Sequence, residues 1–242
     1  DLSMVYIATC ADFEWERIFD LQRVSICQPR FSTDELEAEK GNVRSELTGY
    51  LNNHDRVLWP KVQQLLGEDV LTFNQRLKTI QKVQLKHIKE HHARTHTAGN
   101  MRFVIAGKLH GRKSEIKRQL EDWELAAGER LEAPRDTFRS GKPTLIRRKE
   151  ASNLTFAWSM IVPRELTDEE SDAMDCLDHI LTGTMHSRIY GAARKKGLAY
   201  GMSSDTSVAF HDSAWDFGGQ VNLDTADALF DIIVRELQSV MD

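Results

Sequence analysis

The stretch "SRIYGAARKKGLAYGM", residues 187–202, decides how the chain is read. Its first half continues a helical pattern over about 185–195. Its second half opens a β-rich run, "LAYGMSSDT", and a Lys-Lys-Gly turn stands between them, where glycine suits an abrupt change of direction. A second β-rich run, "AWDFGGQVNL", follows and is expected to pair with the first. A last helix starts near Thr225 and is still apolar at Val240 and Met241, as expected of a helix cut short.

The same mixture extends upstream. "TDEE" (167–170) has the form of a capping box, with Thr167 as N-cap and Glu170 three positions on. Before it stand two strand candidates, "TLIRRK" (144–149) and "LTFAWSMIV" (154–162). From Glu124 to Lys142 the pattern dissolves into charged and small residues with Pro134 and Gly141, which reads as a linker. Earlier still, "MVYIATC" (4–10) and "NMRFVIAG" (100–107) read as strands. Helices are expected at about 12–24, 33–53, 60–66, 74–94 and 113–123. Gly41 inside the second of these costs about 1 kcal/mol relative to alanine, tolerable if something packs closely there. The class is α+β, with a first unit at 1–124, a linker at 125–142 and a second unit at 143–242.

Bulk properties narrow the function. The chain has 242 residues and a net charge of −5, without the basic surplus of a general nucleic-acid binder. No apolar run reaches the length of a membrane span, and no signal peptide heads the sequence. Cys10, Cys27 and Cys176 are odd in number and widely spaced, which argues against a disulfide framework and a cysteine zinc site. A reducing, cytoplasmic setting fits best, although a periplasmic or organellar protein with few cysteines has the same composition.

Two constellations carry chemistry. In "ELEAEKGNVRSELTGYLNNHDRVLW" (35–59), Glu39 and Glu46 stand seven positions apart, with Val43 between them. On a helix that is almost two turns, so both carboxylates share a face and lie about 10 Å apart along the axis. Alone, such a pair is an ordinary solvated face. The second constellation is Arg194 and Tyr200, which bracket the Lys-Lys-Gly turn. Taken singly, they are a charge near a helix end and a half-buried strand residue.

In this order, the two stretches resemble the pitrilysin-type zinc metallopeptidases, inverted zincins that include insulin-degrading enzyme and the mitochondrial processing peptidase. That family's helix signature, a Glu, six residues and a second Glu with an apolar residue after it, is matched by "EKGNVRSEL", Glu39 to Leu47. Its Arg-x-Lys-Gly-Leu-x-Tyr turn is matched by "RKKGLAY", and "NMRFVIAG" is similar to its Asn-Met strand. The resemblance implies two similar units of the metallopeptidase LuxS/MPP-like kind, each a mostly antiparallel sheet flanked by helices, both truncated here. It implies Glu46 as a zinc ligand and Glu39 as an acid that orients a ligand histidine. Arg194 and Tyr200 would hold the substrate backbone and steady the tetrahedral intermediate.

One departure is large. The family's remaining ligands and general base lie in a His-x-x-Glu-His motif well upstream of the third ligand. Only 45 residues precede Glu46 here, and none is histidine. The expectation is an internal piece of a peptidase, inactive alone and binding no zinc by itself. "HIKEH" (87–91) does place His87, Glu90 and His91 together, but 41 residues after Glu46 rather than before it, so it reads as a coincidental match. Glu165, Glu169 and Glu170 lie downstream of it without the Glu-x6-Glu register. His54, His92, His96, His110, His179, His186 and His211 show no ligand spacing.

The intact protein is therefore expected to be a zinc metalloendopeptidase acting on peptides or unfolded segments enclosed between two units. The alternative is a non-catalytic partner or scaffold subunit of the same family, working as a homo- or hetero-oligomer. A third reading, "HIKEH" as the metal site of an unrelated metalloprotein, would require the isolated chain to bind stoichiometric zinc.

Overall fold

A computed structural model describes residues 3–109, 111–132, 135–139, 141–149 and 151–241. The helices are α1 (Trp15–Cys27), α2 (Thr33–Leu51), α3 (His54–Leu66), α4 (Phe73–Ile80), α5 (Leu85–Thr95), α6 (Lys113–Glu121), α7 (Asp168–Leu181), α8 (Arg188–Lys195) and α9 (Ala226–Gln238). The strands are β1 (Asn153–Val162), β2 (Ala199–Val208) and β3 (Ser213–Asn222). The class is α+β. The chain divides into two compact units, one of Asp1–Ser45 with Lys78–Pro134, the other of Glu46–Leu77 with Arg135–Asp242. The division falls within α2 and α4.

The first unit is helical among its described residues. Phe19 and Ile26 of α1, Ile116 of α6 and Trp123 form its buried centre, with Trp15, Met101, Phe103, Leu109 and Leu120 packed around them. Phe19 and Phe103 both lean on the Trp123 ring, at centroid distances of 5.2 and 4.7 Å.

The second unit holds an antiparallel sheet in the order β1-β3-β2. Alternate residues point the same way, so Phe156 on β1 and Ser213, Trp215, Phe217 and Val221 on β3 are buried on one face. Against that face pack Leu181 of α7, Ile189 and Ala193 of α8, and Leu229, Ile232 and Ile233 of α9. Trp158 is directly opposite Phe217 in the register, and their rings stack at 5.8 Å. Gly218 is required by close approach: a Cβ there would lie 2.6 Å from the Phe156 carbonyl oxygen. Two buried polar side chains of β3 are paired. Ser213 Oγ donates to the Arg164 carbonyl and accepts from the Leu166 amide, and the Trp215 indole donates to Asp178 at 2.8 Å.

Several sequence expectations change. "MVYIATC", "NMRFVIAG" and "TLIRRK" form no ladder among the described residues. Their composition favours a strand, but a strand exists only where a neighbour takes its amides, and here Ile7 (84%), Val104 (90%) and Leu145 (63%) face solvent. Helix 74–94 is two helices, because Gln84 and His87 form a capping box that starts α5 afresh. α3 begins at His54 rather than 60, with Asn53 as N-cap accepting from the Arg56 amide and Pro60 inside the helix. At Gly41 a Cβ would have no neighbour within 4 Å, so close packing does not explain that glycine. His110 and Pro134 lie outside the described residues.

The capping box at α7 is present. Glu170 Oε2 accepts from the Thr167 amide at 3.0 Å, Thr167 Oγ1 accepts from the Glu170 amide, and Arg164 donates twice to the Glu170 carboxylate at 2.7 Å. The Arg164 hydrogen bonds, followed by the Thr167 amide, lower the Glu170 pKa from 4.5 to about 2.

Two measurements check this fold. Phe217→Ala should cost about 3–5 kcal/mol in urea unfolding, because the cavity opens where β3 meets three helices. A depressed carboxylate pKa stabilises fully above its ordinary value and loses that contribution as pH falls through its folded value. The stability gap between the native chain and Glu170→Gln should therefore be present at neutral pH and shrink as pH falls from about 4.5 towards about 2.

Candidate functional site

Arg194 and Tyr200 are brought together by a helix, a turn and a bulge. α8 ends with Lys196 as C-cap, and Gly197 takes a left-handed backbone, φ +65°, that favours glycine. The Gly197 amide donates to the Arg194 carbonyl at 3.0 Å, and the Leu198 amide reaches back to the Ala193 carbonyl at 2.9 Å. Leu198 and Ala199 are then buried, which anchors the start of β2. Ala199 pairs with Val221 and Met202 with Gly219, so β2 holds one more residue than β3 over this interval. Such a bulge re-aims side chains, and Tyr200 is 90% exposed.

The Arg194 guanidinium donates from Nη1 to the Tyr200 carbonyl at 2.9 Å and sits 5.5 Å from the centroid of its ring. The Tyr190 hydroxyl donates to the same carbonyl at 3.0 Å. One cation and one phenol are thus exposed side by side on a backbone fixed by two side-chain hydrogen bonds. Chemically, such a pair can hold a carbonyl oxygen or a developing negative charge.

Glu39 and Glu46 both lie on α2, and both are exposed. Glu39 accepts from the Asn42 amide group at 3.2 Å. Glu46 accepts a hydrogen bond on Oε1 from the Tyr50 hydroxyl, one turn on. Tyr50 is itself held, with the Arg56 guanidinium 4.3 Å from its ring centroid and Phe73 at 5.3 Å. Glu46 is thus a positioned carboxylate at the surface of the second unit.

Tyr50 and Tyr190 went unread in the sequence. Tyr50 is four residues after Glu46, and that spacing on one helix face was the available signal. Tyr190 reaches across the turn to the Tyr200 carbonyl, ten residues on, which no helical spacing announces.

Among the described residues no three His, Cys, Asp or Glu side chains are grouped to hold a metal ion. "HIKEH" has a structural use: His87 Nδ1 accepts from the Gln84 amide at 3.1 Å and completes the α5 cap, while Glu90 and His91 are exposed. Among the described residues no helix is long and apolar enough to cross a membrane.

Comparison with known proteins bears on this arrangement. No curated protein matches the chain. Its fold is similar to that of a protease from Helicobacter pylori, with a TM-score of 0.78 at 18% identity, covering 95% of this chain and 58% of the other. It is also similar to a peptidase M16 inactive domain from Pseudomonas fluorescens, TM-score 0.73 at 18% identity, covering 94% and 57%. The periplasmic protease PqqL from Escherichia coli is more distant, at TM-score 0.56 and 15% identity, covering 97% and 29%. The chain thus spans somewhat over half the length of the first two. The model of one family, described as "Peptidase M16 inactive domain", matches residues 82–242, which include both Arg194 and Tyr200. A match over that share of the sequence places this chain in the peptidase M16 family.

Proposed function

We propose that the chain is part of a zinc-dependent metalloendopeptidase that hydrolyses peptides or unfolded polypeptide segments. Glu46 is one zinc ligand, and the others lie outside this chain, as does the general base. Zinc, when bound, would supply a polarised water for attack on the scissile carbonyl. Glu39 orients a ligand from its place two turns before Glu46. Arg194 and Tyr200 hold the substrate carbonyl and accept the charge that grows on its oxygen. The sequence divisions 1–124, 125–142 and 143–242 are the proposed first unit, linker and second unit.

The observation that carries this reading is the joint exposure of Arg194 and Tyr200 at a turn whose backbone is tied down on both sides. A merely structural Arg would satisfy the Tyr200 carbonyl without requiring a bulge that leaves a phenol 90% exposed. Peptides suit the site because β1 and β2 are the outer strands of their sheet, and an extended backbone binds by adding to such an edge. The free Cys10, Cys27 and Cys176 support a cytoplasmic setting.

A second reading is a non-catalytic, peptidase-like partner or scaffold subunit. It is favoured by the family model's own description of residues 82–242 as an inactive domain. Under this reading Arg194 and Tyr200 bind an extended segment without cleaving it.

The two readings separate on the whole protein. If it is a peptidase, it binds stoichiometric zinc and cleaves a fluorogenic peptide, and Glu46→Gln lowers the zinc content because an amide is a poorer ligand than a carboxylate. Arg194→Ala should keep the zinc and lower kcat by about 100-fold, the scale for losing one donor to an oxyanion. Full activity in either variant would remove that residue's role. No zinc and no cleavage in the unsubstituted protein would favour the scaffold. The isolated 242-residue chain should bind no stoichiometric zinc, with or without His87→Ala; zinc that is lost in His87→Ala would instead make "HIKEH" the metal site.

A further inference from the structure

The C-terminal turn of α5 carries a chain of hydrogen bonds in which the protons can be assigned. Thr95 Oγ1 donates to the His91 carbonyl at 2.8 Å. Its one proton is thereby used, so towards His96 Nδ1, at 2.9 Å, it can only accept. The His96 proton is therefore on Nδ1, and its Nε2 offers a lone pair to the Tyr6 hydroxyl, which donates at 2.8 Å. The neutral ring is fully engaged. Beneath it the His92 ring lies stacked, with centroids 4.0 Å apart and planes 19° from parallel. His92 Nε2 donates to the Ile26 carbonyl of α1 at 3.0 Å, and Phe31 meets the same ring edge-on at 5.3 Å.

Tyr6 belongs to the segment 4–10, which has no strand partner among the described residues. Met4, Val5 and Ile7 are 67%, 70% and 84% exposed. Besides the Tyr6 hydroxyl, the segment is tied to α1 by a long hydrogen bond from Gln22 Nε2 to the Tyr6 carbonyl, 3.4 Å. The contact with His96 is thus the short tether of an otherwise open strip.

We propose that the stacked His92–His96 pair is a proton-operated clip that holds residues 4–10 against α1 and α5, closed while His96 is neutral and open once His96 takes a proton. A proton on His96 needs Nε2, which is the atom that receives the Tyr6 hydroxyl, and it sets a charge face to face with His92.

The groups that bear on His96 are Tyr6 from the segment and His91 and His92 from α5. Burial first, then the charges of His92 and His91, hold its pKa below the ordinary 6.5, while the hydrogen bond with the His92 backbone acts the other way. Burial raises the Tyr6 pKa, which keeps its hydroxyl a donor. The sign follows from linkage. A histidine that is harder to protonate when closed favours the closed form fully above its open-state pKa, and that preference falls away as pH drops from about 6.5 through the lower closed-state value.

Nitrogen-15 NMR of the 242-residue chain tests this. At about pH 8 the His96 ring should show the Nδ1–H tautomer, and its titration should lie below the ordinary histidine range. Tyr6→Phe removes the donor to Nε2 and should move that titration up. The heteronuclear NOE of residues 4–9 should drop through the same midpoint, whereas in His96→Gln it should show no step there. An Nε2–H tautomer, a titration unmoved by Tyr6→Phe, or a drop of equal size in His96→Gln would each overturn the clip.

Discussion

The second unit depends on the burial of β3. It is the middle strand of three, so both of its edges are hydrogen-bonded, and its inward side chains Trp215, Phe217 and Val221 are 4%, 0% and 2% exposed. Three helices meet that face, each contributing residues with almost no exposure. A one-residue slip would turn the inward set towards the face that now carries Ala214, Asp216 and Gln220. The register is held against that slip by Trp158 stacked on Phe217 and by the glycine that lets β1 approach at Gly218. The start of β2, and with it Tyr200, inherits its position from this strand.

How much was legible follows from where the partners lie. β1, β2, β3, α7, α8 and α9 find most of their packing partners within the last part of the chain, and their patterns, caps and turn were readable. Thr167 and Glu170 form the cap their spacing implies, and the Lys-Lys-Gly turn is a turn. The failures lie where a pattern needs a neighbour that composition cannot supply. "NMRFVIAG" has every strand residue type, yet among the described residues no strand pairs with it; Met101 and Phe103 pack on the first unit's core while Val104 and Ile105 face solvent. The split of helix 74–94 was missed for a different reason: histidine is seldom read as a cap, and His87 acts as one here.

The candidate site divides in the same way. Arg194 and Tyr200 are six residues apart across a turn, and sequence order alone nearly dictates their meeting. The two supporting tyrosines were hidden, because Tyr50 and Tyr190 matter through hydroxyl groups whose direction depends on rotamer. Helical spacing allowed the Tyr50–Glu46 contact without requiring it, and the Tyr190 contact depends on how the turn folds back.

Glu39 and Glu46 show why spacing alone underdetermines chemistry. Both are exposed acids on one helix, and the seven-residue interval treats them alike. Their surroundings do not. The Glu39 carboxylate is met by a flexible Asn42 amide, a contact any helix surface can make. The Glu46 carboxylate is held by a phenol whose ring is itself met by a guanidinium and a second aromatic ring. A group that must present one oxygen to a metal gains from being oriented beforehand, since less side-chain freedom is lost on binding. A group that only solvates a surface gains nothing from it. The unequal support of two otherwise equivalent acids is therefore a difference of surroundings that the seven-residue spacing does not carry.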